Sequence, residues 1–469
     1  MRYGVVRPEP AHAKVKAAVG RTEETNVDKK RVHFVSLGCP KNRVDTETML
    51  ASLSENGCAI TGNSDDADIV VVNTCAFVED AKVESVDTIL EMARRKEEGH
   101  IEKLVVTGCL AQRYPEELAA EMPEVDHFVG TNDVNLVTEI LDGRTGSRVS
   151  VGDPDRRDFD WEAPRYNSMG GHTAYLKVSE GCSNACAFCI IPTLRGPQRS
   201  RSIDSIVKEA TDLAKQGVLE FNLIAQDLTA YGYDLKPRSN LTALLKRLVE
   251  VDGIRWIRLM YAYPRSFPKG LIELMSKEEK ILPYLDMPLQ HIANGVLKAM
   301  KRGTNSDAIR SRVAQLRAEV PGVSLRTTML VGYPGETAEE FEELIDFIHE
   351  ARFERLGAFA YSREEGTPSY ELDGQLDGQT KADRLDRLMY EQRSIAREHN
   401  EAMIGREVDV LVERRSPESE LVWIGRTEHQ APDIDGVTYL GSADHVSVGQ
   451  IVRARITQVT DYDLVAEPI

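Results

Sequence analysis

The stretch Glu180-Gly-Cys-Ser-Asn-Ala-Cys-Ala-Phe-Cys189 follows an apolar run, Tyr175-Leu-Lys-Val178, and places three thiols in one short loop. Its cysteines, Cys182, Cys186 and Cys189, have the spacing C-x-x-x-C-x-x-C. Three thiolates can hold three irons of a cubane iron–sulfur cluster, because soft sulfur ligands suit such clusters. The fourth iron then has no protein ligand and can bind another molecule. The spacing therefore predicts an iron–sulfur cluster with an open site.

Three other interpretations of this stretch fit less well. A structural zinc site takes four protein ligands in paired C-x-x-C knuckles, and no second pair lies nearby. A disulfide framework needs an even number of cysteines and an oxidising compartment, whereas we expect this chain to be intracellular. Buried cysteines that meet by chance are improbable at this density.

The same stretch resembles the signature of radical S-adenosylmethionine (SAM) enzymes, including an aromatic residue, Phe188, just before the last cysteine. In that superfamily the open iron chelates the amino and carboxylate groups of SAM. Electron transfer into the sulfonium releases a 5′-deoxyadenosyl radical, which removes a hydrogen from an unactivated carbon. The resemblance implies this chemistry here, whereas the spacing by itself indicates only an open-site cluster.

The length and charge of the chain limit its class. A chain of 469 residues predicts two to four domains, and no apolar run approaches the roughly 20 residues that span a membrane. Residues 1–30 lack the apolar segment of a signal peptide and predict a disordered tail, so we expect a cytoplasmic protein with no membrane partner. The net charge of −18 favours basic partners over nucleic acid, although a local basic patch could still bind RNA.

Residues 31–145 predict a first domain with a doubly wound parallel sheet, because apolar strands alternate with helices. Three of the strands end at a cysteine, namely Cys39, Cys75 and Cys109. Ligands of such sheets gather at the carboxyl ends of the strands. A single cysteine there is usually a small buried hydrophobe, but three in register predict a second three-thiolate site. Cys58 lies between elements, and we interpret it as structural or incidental. The predicted strands are Val32–Leu37, Ala67–Asn73, Lys103–Val106 and His127–Val129.

A polar linker, residues 146–167, precedes a second domain over residues 168–399. Six strand-like runs are each followed by a helical run, which predicts a partial (β/α)6 TIM-like barrel with its chemistry on the loops after the strands. The predicted strands are Tyr175–Val178, Phe221–Ala225, Ile254–Ala262, Tyr284–Pro288, Ser324–Val331 and Leu356–Tyr361.

Individual residues on these loops have open alternatives. Gln226 and Asp227 could hold the amino group of SAM or cap the next helix, and the sequence favours neither role over the other. His291 could bind substrate, but such a histidine more commonly donates to a backbone carbonyl. The glycines of Gly332-Tyr-Pro-Gly335 could admit a ligand closely or simply turn the chain. A basic loop beyond the cluster is expected to be solvated, or to meet a carboxylate of SAM or of the substrate. Its members are Arg195, Arg199 and Arg201.

Residues 402–469 change to a period-two pattern of short strands, which predicts a small antiparallel β-barrel. Between Ile404 and Ile469, six Lys or Arg stand against twelve Asp or Glu, a net charge of −6. This charge disfavours a nucleic-acid backbone and favours a basic partner. The predicted strands are Val408–Val412, Leu421–Ile424, Gln450–Thr457 and Asp463–Val465.

The order of these parts resembles the methylthiotransferase family from Arg31 to the end of the chain. That family has an N-terminal domain with three cluster cysteines, a radical SAM barrel and a C-terminal TRAM barrel. The stretches Ser36-Leu-Gly-Cys-Pro-Lys-Asn42 and Met287-Pro-Leu-Gln-His291 resemble the branch that modifies an aspartate of ribosomal protein S twelve. The other branch modifies adenosine next to the tRNA anticodon. It has Gln-Met-Asn after the first cysteine, and Gln-Ser-Gly-Ser in place of Gln290-His291-Ile292-Ala293. One motif departs from the wider superfamily, whose Gly-Gly-Glu is here Ala225-Gln-Asp227.

The resemblance implies two [4Fe-4S] clusters and SAM as cofactors, and an electron donor and a sulfur donor as partners. The cysteines divide into an auxiliary set and a SAM-cluster set: Cys39, Cys75 and Cys109 in the first, Cys182, Cys186 and Cys189 in the second. SAM contacts are expected from Phe188, Gln226, Asp227, Gly332 and Gly335. No residue is expected to act as a catalytic acid or base.

The implied reaction adds a methylthio group to the β-carbon of the target aspartate. One SAM supplies the methyl group to sulfur on the auxiliary cluster, and another yields the radical that removes a β-hydrogen. Nucleic acid is at most a secondary partner in this interpretation. A tRNA adenosine methylthiotransferase is the nearer alternative, with the same chemistry. A non-catalytic iron–sulfur protein that senses redox state or binds ribosomes is the alternative of another class.

Overall fold

The computed structural model describes residues 29–469, except 142, 145–146, 157–160 and 442–445. Apart from its last two residues, the tail predicted over residues 1–30 lies outside the described residues. The described chain forms two compact units. The first holds the residues up to Ser168 together with 181–183 and 190–197, and the second holds Met169–Glu180, Asn184–Cys189 and Gln198–Ile469.

The first unit is built on a parallel sheet. Its strands are β1 Arg31–Ser36, β2 Ala59–Ile60, β3 Ile69–Thr74, β4 Lys103–Gly108, β5 His127–Val129 and β6 Val149–Ser150. Its helices are α1 Pro40–Glu55, α2 Glu79–Glu97, α3 Cys109–Arg113, α4 Pro115–Glu121, α5 Leu136–Leu141 and α6 Ile191–Arg195. The sheet has the order β2-β1-β3-β4-β5-β6, and every pairing in it is parallel.

Helices cover both faces of this sheet, which explains its apolar strands. All six residues of β3 are buried; Val70 and Val72 pack into one core, while Ile69 and Val71 pack into the other. Continuous apolar runs are typical of parallel strands that are buried on both faces. The predicted doubly wound sheet is therefore confirmed. The edge strands β2 and β6 were not predicted, because two residues are too few to show a period.

The second unit begins with a six-stranded parallel sheet. Its strands are β7 Thr173–Lys177, β10 Glu220–Ile224, β11 Trp256–Leu259, β12 Ile281–Asp286, β13 Ser324–Val331 and β14 Arg355–Ala360. They lie in the order β14-β13-β12-β11-β10-β7. A separate two-stranded antiparallel sheet is formed by β8 Ser179–Glu180 and β9 Arg199–Ser200. The helices are α7 Ile203–Lys215, α8 Leu241–Leu248, α9 Leu271–Lys277, α10 Asn294–Ala299, α11 Ser306–Glu319, α12 Ala338–Ala351 and α13 Gly378–Glu401.

The two faces of this second sheet differ in polarity. Leu176, Leu223 and Leu259 pack with the helices in one large core. The opposite face, here called the inner face, carries polar residues such as Asn222 and Arg258, both fully buried. Six parallel strands with helices on one side confirm the predicted partial (β/α)6 barrel.

The C-terminal strands close into a small barrel. They are β15 Glu407–Arg415, β16 Val422–Thr427, β17 Thr438–Gly441, β18 Ile451–Val459 and β19 Leu464–Pro468, in the order β15-β16-β17-β19-β18. Four pairings are antiparallel, but β17 and β19 run parallel. The barrel itself is confirmed, whereas the expectation that all its strands are antiparallel was wrong. A parallel pair needs a crossover connection, and β18 supplies it.

Buried ion pairs join the C-terminal barrel to the inner face. Glu220, fully buried at the start of β10, accepts hydrogen bonds from Arg258 of β11 at 3.0 Å and from Arg426 of β16 at 3.1 Å. Burial acts to raise the pKa of Glu220, but the two guanidiniums outweigh burial and lower it to about 2. Beside them, the Tyr284 hydroxyl donates to Asp435 at 2.7 Å.

These contacts change the expected role of the acidic residues of the barrel. Asp435 is paired with Arg326 as well as Tyr284, and Asp433 accepts from the Tyr175 hydroxyl at 3.3 Å. The buried Asp435 side chain therefore serves the join with the sheet, whereas Asp433 is exposed and accepts from a neutral hydroxyl. Asp444, another of the twelve acidic residues counted in this region, lies outside the described residues. No helix among the described residues has the length and apolar character that crossing a membrane requires.

Candidate metal centres

Three neighbouring strand ends of the first unit carry cysteines, in the predicted register. Cys39 directly precedes α1 after β1, Cys75 follows β3 directly, and Cys109 opens α3 after β4. Since β1, β3 and β4 are adjacent in the sheet, the three thiols share one edge. The backbone approaches closely here, because a Cβ placed on Gly38 would lie 2.9 Å from the Cys75 Sγ.

Burial controls the protonation of these thiols. It raises the pKa of Cys75 far above the ordinary thiol value, and the neighbouring Cys109 and Cys39 raise it further. Burial also raises the pKa of Cys109 to about 11, although the Arg195 guanidinium opposes that shift. Anionic sulfur is penalised in such surroundings, so a metal that binds here must displace protons.

A buried polar network lies against this thiol set. Arg195, 2% exposed, donates from Nη2 to Asn42 Oδ1 and to Asp45 Oδ2, the latter at 3.0 Å. Asn42 is fully buried, and its amide nitrogen donates to two backbone carbonyls beside the strand ends. Its Oδ1 lies 3.9 Å from the Cys109 Sγ. The positive charge of Arg195 is thus held next to the thiols.

The expectation of a solvated basic loop was wrong for two of its three members. Besides Arg195, Arg201 is buried and donates to Glu209 and to the Lys177 carbonyl oxygen. Arg199 is half-buried. These guanidiniums bind protein acceptors, because a charged group inside a protein must be paired or hydrogen bonded.

The second thiol set lies in the loop after β8. Cys186 is 9% exposed, and the Cys189 amide donates to its carbonyl oxygen at 3.1 Å. Two side chains contact the Cys186 Sγ: Arg302 donates to it from Nη1 at 3.3 Å, and the Tyr263 hydroxyl lies 3.7 Å away. Cys182 belongs to the first unit, where its amide donates to the Gly196 carbonyl oxygen at 3.0 Å.

The structure gives different contacts to Gln226 and Asp227, the two residues that were expected to hold SAM or to cap a helix. Asp227 is a cap, because its Oδ1 accepts from the amides of Thr229 and Ala230. Its other oxygen accepts from the Asn184 side chain at 2.7 Å. Gln226 donates to Glu180 Oε1 at 2.9 Å, and its own Oε1 is buried without a hydrogen-bond partner among the described residues.

Three further predicted contact residues lie on the loops after β8 and β13. Phe188 packs against an apolar cluster that includes Tyr333. Gly332 and Gly335 have φ values of +74° and +80°, so both turns favour glycine. At Gly332 a Cβ would also lie 2.5 Å from the Lys381 side chain, whereas at Gly335 it would meet open space. Close packing therefore applies to Gly332 alone.

His291 does not donate to a backbone carbonyl, contrary to the commoner expectation. Its Nδ1 accepts from the Ala293 amide at 3.0 Å, and the ring is fully buried. Burial lowers the pKa of His291 to about 3, with a further contribution from Arg384. The imidazole is therefore neutral, with the proton on Nε2, which lies 3.9 Å from Glu336 Oε1.

Sequence reasoning missed the buried residues that contact the two thiol sets. Asn42 stands near Cys39 at the start of α1, and that proximity was the only available signal. Tyr263 lies on the loop after β11, where the predicted strand ends, but its contact with Cys186 was not predicted. Arg302 lies between α10 and α11, and nothing in its local sequence points to Cys186.

The donors of both thiol sets are cysteine sulfurs. In the ranges that the structure describes, no three His, Cys, Asp or Glu side chains are grouped so that they could hold one metal ion. The all-sulfur donor chemistry fits iron–sulfur clusters.

Comparison with known families divides the chain into three matched regions. Residues 31–130 match the Uncharacterized protein family UPF0004, residues 176–348 match the Radical SAM superfamily, and residues 404–469 match the TRAM domain.

Solved structures support the fold. A radical S-adenosylmethionine methyltransferase, TsrM from Kitasatospora setae, aligns with a TM-score of 0.56 at 17% identity, over 73% of this chain and 77% of that chain. The cobalamin-dependent S-adenosylmethionine radical enzyme OxsB aligns with a TM-score of 0.50 at 14% identity, over 83% of this chain and 61% of that one. At such identities the likeness concerns the fold alone.

Curated relatives are far more similar in sequence. A protein of Anaeromyxobacter sp. named ribosomal protein uS12 methylthiotransferase RimO is 52% identical over 94% of this chain and 93% of its own length. Proteins of the same name from Myxococcus xanthus and Geobacter sulfurreducens are 52% and 48% identical, each over 94% of this chain and over 92% and 99% of their own lengths. Identity at this level over nearly the full length shows that the chain belongs to the ribosomal protein uS12 methylthiotransferase family of radical SAM enzymes.

Proposed function

We propose that this protein is a radical SAM methylthiotransferase that adds a methylthio group to the β-carbon of an aspartate in ribosomal protein uS12. The observation that carries the proposal is the register of Cys39, Cys75 and Cys109 at one sheet edge, in a chain that also has an open-site cluster loop. Two such sites suit a reaction that needs both a radical and a source of methylthio.

The proposal assigns ligands to two [4Fe-4S] clusters: Cys39, Cys75 and Cys109 to the auxiliary cluster, and Cys182, Cys186 and Cys189 to the SAM cluster. When bound, the clusters and SAM supply the radical that removes the β-hydrogen and the methylthio group that replaces it. The chain holds the auxiliary set at strand ends and the SAM-cluster set in the loop after β8. At the auxiliary set, Arg195 brings a positive charge next to sulfur that must become anionic.

Among the residues expected to contact SAM, the structure favours Gln226. Its buried Oε1 has an unused acceptor, which could receive a hydrogen bond from the amino group of SAM. Asp227 already uses both oxygens on protein donors, so its part is to position the loop. Phe188, Gly332 and Gly335 shape the surrounding turns, and we keep them as candidates for SAM contact.

Ribosomal protein uS12 is the partner named for the relatives, and we propose it as the substrate in the cytoplasm. An electron donor and a sulfur donor are further partners that the chemistry requires. The net charge of −18 favours a basic protein over a nucleic acid. That preference rests on the charge of the whole chain, because Asp435 is already engaged by Arg326 and Tyr284.

Iron analysis tests the ligand assignment. Anaerobically reconstituted protein should bind about eight irons, four in each cubane. The triple variant Cys182→Ala/Cys186→Ala/Cys189→Ala should bind half of that and lose reductive SAM cleavage. Cys58→Ala serves as the control, because Cys58 packs against an apolar core and should leave the iron content unchanged. Wild-type iron content in the triple variant would refute the assignment.

A further inference from the structure

The Cys186 thiol has an unusual neighbour in Arg302. Arg302 is 4% exposed, and its Nη1 donates to the Cys186 Sγ at 3.3 Å. Its Nη2 donates to the Pro288 carbonyl oxygen at 2.6 Å, which fixes the plane of the group. A planar guanidinium held at both ends presents one N–H to the sulfur in a fixed direction.

Tyr263 holds the same arginine from a second side. The Arg302 guanidinium lies over its ring, with 4.2 Å between Cζ and the ring centroid. The Tyr263 hydroxyl donates to the Arg302 carbonyl oxygen and lies 3.7 Å from the Cys186 Sγ. Tyr263 therefore orients Arg302 and brings a second polar group to the sulfur.

The charge of Arg302 is not cancelled by an ion pair. Among the described residues, no carboxylate lies within ion-pair distance of its guanidinium, and its Nε is buried without a hydrogen-bond partner. The arginine at the auxiliary thiols differs in this respect, because Arg195 is paired with Asp45 at 3.0 Å. A full positive charge in a site of low dielectric interacts strongly with nearby anions.

We propose that Arg302, oriented by Tyr263, is a positioning residue that raises the reduction potential of the cluster bound at Cys186. This inference rests on the proposed function, in which Cys186 is a cluster ligand. Reduction adds one electron to the cluster and makes it more negative. A positive charge and an N–H···S hydrogen bond stabilise the reduced form more than the oxidised form, and hydrogen bonds to cluster sulfurs are known to set such potentials. Arg302 itself gains and loses neither electron nor proton.

The test is a redox titration of the reconstituted full-length protein with dithionite, followed by electron paramagnetic resonance. The signal of the SAM cluster is identified as the one that changes when SAM is added, and the titration is then run without SAM. In Arg302→Gln, the ratio of reduced to oxidised cluster at the wild-type midpoint should fall about tenfold, which equals a shift of about 59 mV to lower potential for one electron. Iron content should stay at the wild-type value.

Three companion variants make the test specific. Arg302→Lys keeps a charge but lacks the planar fork, so its midpoint should fall by less than that of Arg302→Gln. Tyr263→Phe keeps the ring beneath the guanidinium and should also shift the midpoint by less. Arg312→Gln is the matched control, because Arg312 lies over the Phe267 ring with 4.5 Å to the centroid and hydrogen bonds Gln315; its midpoint should equal that of the wild type.

The outcomes separate this inference from the proposed function. A wild-type protein without any signal that responds to SAM contradicts the proposed function itself. A normal wild-type signal with an unchanged midpoint in Arg302→Gln contradicts only the role of Arg302. If Arg302→Gln does not bind iron, Arg302→Lys decides the matter, and a midpoint at or above the wild-type value would overturn the inference.

Discussion

Gly108 is the residue that joins β4 to Cys109, and its backbone conformation favours glycine. Its φ is +97°, and a Cβ there would lie 2.6 Å from the Thr74 carbonyl oxygen and 2.8 Å from the Thr74 amide nitrogen. We expect Gly108→Ala to destabilise the first unit by about 1–3 kcal/mol, the usual range for a residue forced into such a conformation. The denaturant midpoint measures this loss, and iron bound at the auxiliary set should fall with it.

A second glycine provides the control for this substitution. Gly378 opens α13, and a Cβ there would meet no atom within 4 Å. Gly378→Ala should therefore be neutral or stabilise slightly, because alanine restricts the unfolded chain. Equal midpoints for the two variants would show that the strand end tolerates a side chain at Gly108.

At the scale of elements, the join between β10, β11 and β16 depends on one carboxylate. Glu220 is the shared partner of Arg258 and Arg426, and all three side chains are almost fully buried. Among the described residues, Glu220→Gln leaves the buried Arg258 guanidinium without a carboxylate partner and leaves Arg426 with Glu413 alone. Removing one partner of a buried ion pair costs about 3–5 kcal/mol, and the unfolding midpoint of the second unit should fall accordingly.

The pH profile of stability distinguishes this ion pair from simple packing. The pKa of Glu220 is lowered from 4.5 to about 2 in the folded protein. A carboxyl group with a lowered pKa contributes stability that is fully present above its unfolded pKa and is lost as the pH falls toward its folded pKa. The difference in stability between wild type and Glu220→Gln should therefore be constant near neutral pH and shrink between about pH 4.5 and pH 2. A difference that does not change with pH would assign the effect to packing.

Most elements of this fold could be predicted from periodicity. The apolar strands β3 and β4 and the period-two strand β18 show their type within a few residues, because burial on two faces or on one face fixes the pattern. The strand β17 could not be predicted, since four residues around Tyr439 pair with β19 across a crossover. Local sequence does not specify a partner that the chain reaches only through another strand.

The candidate sites show the same difference between local signals, which sequence reveals, and contacts between distant residues, which it does not. The cysteines could be predicted, because spacing and strand ends are local signals. The contacts of Arg195 with Asn42 and of Arg302 with Cys186 could not, since these partners are 153 and 116 residues apart in the sequence. A buried arginine and a solvated one look alike until the tertiary fold places an acceptor beside them.

At the scale of the whole molecule, the two thiol sets should serve separable halves of one reaction. The auxiliary set lies on the sheet of the first unit, and the variant Cys39→Ala/Cys75→Ala/Cys109→Ala leaves the loop of Cys186 unchanged. We expect this variant to retain reductive cleavage of SAM while losing the methylthiolated product. Chromatographic measurement of 5′-deoxyadenosine together with mass spectrometry of the substrate checks both halves. Normal product formation would show that the auxiliary set is not the source of methylthio.

Substrate choice has to be tested on the full-length chain. Arg426 and Asp435 of the C-terminal barrel are buried against the sheet of the second unit. Removing residues 404–469 would therefore deprive Glu220 of Arg426 and Arg326 of Asp435. A loss of activity after such a deletion would report on stability as well as on recognition. Competition between intact substrates avoids this confusion.

The central claim is that the intact protein modifies a ribosomal protein and not tRNA. The most direct measurement offers purified uS12 and tRNA together to the reconstituted enzyme, with SAM labelled in its methyl group, a reductant and a sulfide source. Mass spectrometry of both substrates should find the labelled methylthio group on an aspartate of uS12, with the tRNA unlabelled. Label on adenosine, with uS12 unmodified, would contradict the proposed function.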